Sequence, residues 1–247
     1  LTGDWSSDVC SSDLAAGHAH CDYTLGVAAT PENATRITPE LIAAARTLSL
    51  PFTNLAGATS KVAAIAAHFS AWPIDKPIVT DARTTDLASV LLLASLHGRS
   101  IHVTNVQSAE DIGLIALSKE KELKVTCDVT VYSLFLTSEQ YPGSTCLPSA
   151  KDQAALWANL DTIDTLSVGS LPYRLASELG HSYAAGAGSE DSIRLLLSAV
   201  NDGRLTLDDI TARLSDNPRA IFDLPAQPNT YVERSEERRV GKECPRC

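Results

Sequence analysis

Pro77-Ile-Val-Thr-Asp81 and Ser100-Ile-His-Val-Thr-Asn105 decide the fold of this chain. Both runs are short, continuous and β-branched, which is how strands buried on both faces read. Between them Thr85–His97 is too long for a strand and carries a helical apolar face. A strand, a helix and a second strand form the βαβ unit of a parallel sheet. The same alternation extends in both directions. Strands are expected at Asp22–Ala28, Thr47–Leu50, Pro77–Asp81, Ser100–Asn105, Lys124–Val129 and Ile163–Val168. Helices are expected at Pro39–Arg46, Thr59–Ala71, Thr85–His97, Ala109–Lys121 and Lys151–Leu160, with Pro39 and Thr59 at helix starts. Beyond the last strand only helices follow, at Ser189–Asn201, Thr206–Leu214 and Asn217–Phe222, and Asp208 and Asp209 stand in a first turn where the helix dipole favours them. No strand is followed by a Gly-rich phosphate loop, so dinucleotide and P-loop folds lose their main signal. An α/β sheet of doubly wound or barrel type remains, with six strands where a closed barrel has eight.

Composition narrows the function. The 247 residues are 44% hydrophobic and 20% charged, and no apolar run approaches the roughly 20 residues of a membrane span. A formal charge of −10 argues against nucleic acid, which requires a basic face. The chain contains no Met, and its ends read as foreign to it. Residues 1–14 lack helical or strand periodicity, and Asp4–Asp13 back-translates codon for codon into a sequencing adapter; Arg234–Cys244 does the same for the companion adapter. Residues 1–14 and 234–247 are therefore set aside as adapter-derived, and 15–233 is taken as the folding unit. The Cys244-Pro-Arg-Cys247 motif is set aside with them. Cys21, Cys127 and Cys146 are then an odd, widely spaced set, as in reduced cytoplasmic proteins.

Candidate chemistry is sparse. His18-Ala-His20 has the spacing of a zinc-ligand pair on a strand, but it precedes the strand beginning at Asp22, whereas barrel active sites lie at strand C-terminal ends. Those ends read Leu48-Ser49-Leu50, Thr80-Asp81-Ala82-Arg83, Thr104-Asn105-Val106, Cys127 to Ser133 and Val168 to Tyr173, and none contains a His. His102 lies inside its strand and reads as a packed core histidine. Asp81 and Asp128 read as isolated, solvated strand-end carboxylates, short of the convergent ligands zinc requires. Ser49, Ser133 and Ser170 have no His–Asp partner in view, and Cys127 has no neighbouring His or Lys to make it a thiolate.

From Gly17 to Glu233 the chain resembles the dihydroorotase domain of the multifunctional pyrimidine-synthesis polypeptide of animals and fungi. The resemblance rests on Arg99-Ser-Ile-His-Val103, Val125-Thr-Cys-Asp-Val129, Leu134-Phe-Leu136, Ala155-Leu-Trp157, Gly203-Arg-Leu-Thr-Leu-Asp-Asp209, Asn217-Pro-Arg-Ala-Ile-Phe222 and Thr230-Tyr-Val-Glu233. It implies a TIM (β/α)8 barrel of amidohydrolase type, with about six of eight βα units present. Because such a piece would leave two strand edges open, 15–233 alone is expected to fold poorly. Family members use zinc, a carboxylated lysine, histidines and a strand-end aspartate that serves as general base. Carried over position by position, the lysine is Ser49, two strand-end histidines are Asp81 and Asn105, the Pro-His-His stretch is Val131-Tyr132-Ser133, and the general base is Gly169. This pattern resembles the inactive fungal version of the domain.

The resemblance therefore implies a domain with no zinc or other cofactor and no catalytic residue. It would act as a self-associating structural module between carbamoyl-phosphate synthetase and aspartate transcarbamoylase of one cytoplasmic polypeptide, with no nucleic-acid or membrane partner. Two alternatives are a working zinc dihydroorotase with Asp81, Asn105 and Asp128 as an altered ligand set, and a metabolite sensor using Arg83 and Tyr132.

Overall fold

The computed structural model describes residues 17, 23–52, 55, 60–142, 144–169, 177–178, 180 and 189–233. Both adapter-like ends, His18, His20, Cys21, Thr59, residues 170–173 and His181 lie outside them. Six parallel strands follow one another in chain order: β1 (Gly26–Ala28), β2 (Thr47–Leu50), β3 (Ile78–Thr80), β4 (Ile101–Val103), β5 (Val125–Thr130) and β6 (Thr165–Ser167). Helices α1 (Pro39–Ala44), α2 (Lys61–Ala71), α3 (Thr84–His97), α4 (Ala109–Glu120) and α6 (Ala150–Ala158) lie between strands. Helix α7 (Ser189–Asn201) follows β6, then α8 (Leu207–Thr211), which runs through a π turn at Ala212–Asp216 into α9 (Asn217–Phe222). Strands that stay in chain order and parallel, each crossover carrying a helix, form an arc of a (β/α)8 barrel and not a doubly wound sheet, whose strand order reverses.

Strand register explains why these short runs form strands. Leu48 pairs with Ile78, Ile78 with Ile101 and Ile101 with Val125; one layer on, Leu50, Thr80, Val103 and Cys127 follow. All eight are buried, in a core shared with Ile65 and Phe69 of α2, Leu87 and Val90 of α3, and Ile112 and Ile115 of α4. Each large apolar side chain fully buried here contributes about 1.5–3 kcal/mol. The opposite face differs from the expectation of strands apolar on both sides. Ser49, Val79, His102 and Thr126 form one row there, and Asp128, Thr130, Thr165 and Ser167 continue it. It is a polar surface lining the inside of the arc.

Helix starts are fixed by side-chain caps. Thr38 caps α1 ahead of Pro39, Ser108 caps α4 and Ser149 caps α6. Thr59 was expected to open α2, but the cap falls on Ser60, whose Oγ accepts the Ala63 amide. Beyond Val129, where the strand was expected to end, lie one further strand residue and a short helix, α5 (Val131–Phe135), because Thr130 Oγ1 accepts the Ser133 amide at 3.2 Å. At the C-terminal end of α3, Gly98 takes φ +63°, a conformation glycine adopts without strain.

The C-terminal helices close the N-terminal end of the sheet. Thr206 and Asp209 form a reciprocal capping box on α8. Buried Arg213 donates to the Leu160 and Ile163 carbonyls and to Asp209 Oδ1 at 2.6 Å. Asn217 Nδ2 donates to the Asp164 carbonyl at 2.7 Å, and Arg46, just before β2, meets Asp223 at 2.6 Å.

Candidate functional site

The C-terminal strand ends are held by bonds among the protein's own groups. Asp81, after β3, is exposed, and its Oδ1 accepts the Phe52 amide at 2.8 Å. Arg83 reaches across to the next strand. Its guanidinium donates to the Ala82, Thr104 and Asn105 carbonyls at 2.7, 2.5 and 2.9 Å, and its Nε lies 3.9 Å from Asp111 Oδ2. Burial lowers the Arg83 pKa, opposed chiefly by the Asp111 charge and then by Asp81 and Asp128.

Asp111 is itself buried in the first turn of α4, where it accepts the Thr84 amide at 2.7 Å and the Ser108 hydroxyl at 2.8 Å. Thr84 has φ +50°, a region unfavourable for a β-branched residue, so the Asp111 bond holds it in place. Asn105, at φ +52°, presents Oδ1 to Gln107 Nε2 at 3.2 Å, and Gln107 also donates to the Cys146 carbonyl at 3.0 Å. Beside it, Thr130 and Ser133 hydroxyls lie 2.7 Å apart, and Tyr132 is buried against Cys146 and Leu147.

The inner face of the arc holds the second polar group. His102 is buried, as expected of a core histidine; its Nδ1 lies 2.9 Å from Thr126 Oγ1, and Phe222 meets the ring edge-on at 5.1 Å. The structure corrects the reading of Asp128 as a solvated strand-end carboxylate. It lies within β5, buried, accepting the Ser167 hydroxyl at 2.8 Å and facing His102 Nε2 at 3.5 Å. These partners are what allow a carboxylate to be buried. Cys127 is likewise internal to β5 and not at a strand end. A lysine is near, correcting that expectation too, but Lys119 is spent on Asp164 at 2.7 Å. Burial, and then the Asp164 charge, push the Cys127 thiol up to about 12, so it is no nucleophile.

Of the five positions at which the resemblance expects site residues, the structure brings Asn105 and Tyr132 toward the Gln107–Cys146 region. Asp81 and Asn105 flank Arg83. Ser49 is half-buried on the inner face, with its carbonyl accepting the Ala29 amide, and Gly169 takes φ +59° beyond β6. Arg83, Gln107 and Asp111 were not anticipated as a connected unit, since residues this far apart in sequence meet only through the fold. The alternation Thr126-x-Asp128-x-Thr130 was the available signal for the inner polar face.

Among the described residues, the strand-end side chains do not gather the ligand set of a catalytic dication. Among the described residues no three His, Cys, Asp or Glu converge, and the carboxylates of the altered set, Asp81 and Asp128, serve different partners. A cleft of about 170 Å³, lined by Leu91, Arg99, Glu122 and Lys124 among others, lies at the opposite end of the strands. Among the described residues no helix is long and apolar enough to cross a membrane.

No protein-family profile matches the chain. It is 55% identical over 213 residues to the multifunctional protein pyrABCN of Emericella nidulans, an alignment covering 86% of this chain and 9% of that protein. It superposes with a TM-score of 0.84, at 50% identity, on the inactive dihydroorotase-like domain of the Chaetomium thermophilum CAD-like multifunctional protein, covering 88% of this chain and 64% of that one. L-Hydantoinase from Arthrobacter aurescens, at 20% identity and TM-score 0.62, shares the fold. Fold and strand-end pattern thus define a dihydroorotase-like chain of the amidohydrolase type. Within that class it is homologous to the dihydroorotase-like domain of fungal multifunctional proteins. The chain spans about a tenth of the full-length relative, and about two thirds of the solved domain.

Proposed function

We propose that this chain is an inactive dihydroorotase-like domain, without zinc, serving as a structural and assembly module in cytoplasmic pyrimidine (UMP) biosynthesis. It would space and orient carbamoyl-phosphate synthetase and aspartate transcarbamoylase within one polypeptide, and associate with copies of itself. One observation carries the reading. Where the resemblance calls for metal ligands and a general base, the chain has Ser49, Asp81, Asn105, Tyr132 and Gly169, and the polar side chains around them are bound to one another. A metal site needs its full ligand count, so neutral replacements at several positions remove it together.

The altered-ligand reading asks Asp81, Asn105 and Asp128 to converge on zinc. Their bonds to the Phe52 amide, to Gln107 and to Ser167 speak against it. The sensor reading asks Arg83 for a free guanidinium, which its three carbonyls and Asp111 do not leave.

The test is a dihydroorotate hydrolysis assay on the full polypeptide, with and without added zinc. No turnover is expected. Turnover abolished by Asp81→Ala would overturn the inactive reading. Excising the domain is expected to leave both flanking activities intact and to lower the oligomeric state; an unchanged assembly would overturn the structural role.

A further inference from the structure

Two buried arginines are treated differently by the fold. Arg213, 8% exposed, spends all three guanidinium nitrogens, on the Ile163 carbonyl, the Leu160 carbonyl and Asp209. Arg99, 5% exposed, donates among the described residues from Nη2 alone, to the Pro73 carbonyl at 2.6 Å, and its buried Nε has no partner. Asp75 acts on it through its charge, from the exposed turn before β3. A guanidinium stays protonated, and a buried charge short of hydrogen bonds is unfavourable.

Arg99 lines the cleft of about 170 Å³ at the N-terminal ends of β4 and β5, where α3 and α4 end. The wall of this cleft is apolar, made by Leu91, Ala94, Ile101, Leu123 and Val125. The last turn of α3 makes no claim on the Arg99 side chain, because the Ala94 and Ser95 carbonyls already accept the Arg99 and Gly98 amides at 2.9 and 3.3 Å. Lys124 and Glu122 stand exposed at the mouth. Two cations against one carboxylate leave the cleft positive on a chain that carries −10, which draws an anion to it.

We propose that this cleft binds a small carboxylate with an apolar body, its carboxylate oxygens accepting from the Arg99 guanidinium. The lining selects that chemistry. A water needs two to four polar partners, and the apolar wall offers it few. A hydrocarbon would cover the wall and leave the guanidinium as short of acceptors as before. Inorganic phosphate would supply acceptors but set its remaining oxygens against Leu and Ile. A carboxylate on a short hydrocarbon does both, with charge-assisted bonds at one end and apolar contact at the other. The volume matches that of about six waters at ~30 Å³ each, room for a carboxylate carrying three or four carbons. The site lies at the end of the strands opposite Ser49, Asp81 and Asn105, so it needs no zinc and is independent of the inactive reading.

The test is saturation-transfer NMR of isobutyrate with the full multifunctional polypeptide. The signal of this cleft is the part removed by Ser95→Trp, which places an indole at the exposed mouth without disturbing the core. Leu96→Trp, at the next exposed position and outside the lining, is the control and is expected to leave that signal unchanged. Saturable binding at millimolar concentration is expected. Isobutyramide, which keeps the body and loses the charge, should bind about tenfold more weakly, the factor that follows from losing a charge-assisted bond. Inorganic phosphate should not displace isobutyrate. Arg99→Gln should weaken binding by a similar factor, and since it alters a buried side chain, Ser95→Trp carries the test if that variant fails to fold. No saturable signal sensitive to Ser95→Trp, equal binding of the amide, or displacement by phosphate would overturn the proposal.

Discussion

Replacing Asp111 with Ala separates a structural brace from a ligand site more sharply than any other single change. Its carboxylate accepts the Thr84 amide at 2.7 Å and the Ser108 hydroxyl at 2.8 Å, and is the nearest counter-charge to Arg83 at 3.9 Å. A hydrogen bond to a charged group contributes about 1.5–3 kcal/mol, and leaving its buried partner unpaired costs a comparable amount. The Arg83 attraction adds little, because that side chain is about one-third exposed and screened by solvent. The expected loss is about 3 kcal/mol. For a domain of this size that lowers the midpoint of thermal unfolding by roughly 6–12 °C. Asp81→Ala removes one bond from an exposed carboxylate and is expected to cost under about 1 kcal/mol. Calorimetry or denaturant unfolding of the two variants decides the matter. Equal effects, or a loss under about 0.5 kcal/mol for Asp111→Ala, would refute the claim that Arg83 and Asp111 brace the strand ends.

Other expectations are as direct. Mass spectrometry after iodoacetamide treatment of the native chain at pH 8 should find Cys127 unmodified, since burial holds its thiol up near 12; rapid labelling would contradict that. Glu178 is held down at about 2, first by Thr145 and Ser144. A carboxylate depressed in the folded state stabilises it above the unfolded pKa, and that contribution is lost as pH falls. Glu178→Gln should therefore flatten the acid limb of stability between about pH 4.5 and 2; an unaltered limb would contradict this. The His68 pKa is lowered mainly by burial, so acidification below about 6.5 charges it in the unfolded chain first. Stability should begin to fall there, ahead of the carboxylates, and His68→Gln should remove that early decline.

The sequence revealed elements whose signals are local. Thr47–Leu50, Ser189–Asn201 and Asn217–Phe222 have the expected bounds, because the apolar patterns that build them lie within these segments. Helix α5 was missed because Thr130-Val131 continues a β-branched run, and a Thr that caps a helix reads the same as a Thr in a strand. His102 was legible as a core residue from its apolar neighbours. Its pairing with Asp128 was not, since it depends on which β4 residue sits beside which β5 residue, and a one-residue shift turns every side chain to the other face. The proposed losses at Ser49, Asn105 and Gly169 rest on the family pattern alone. The bonds that occupy that end of the sheet, Arg83 to three carbonyls and Gln107 to Cys146, required the fold.

The central claim is that this domain holds no zinc, and metal content tests it most directly. The domain within its full multifunctional polypeptide, purified in zinc-containing buffer, is analysed by elemental mass spectrometry. Zinc near zero at this domain, with no change on chelation, is the expected result. Stoichiometric zinc, lost on chelation together with dihydroorotate hydrolysis, would contradict it.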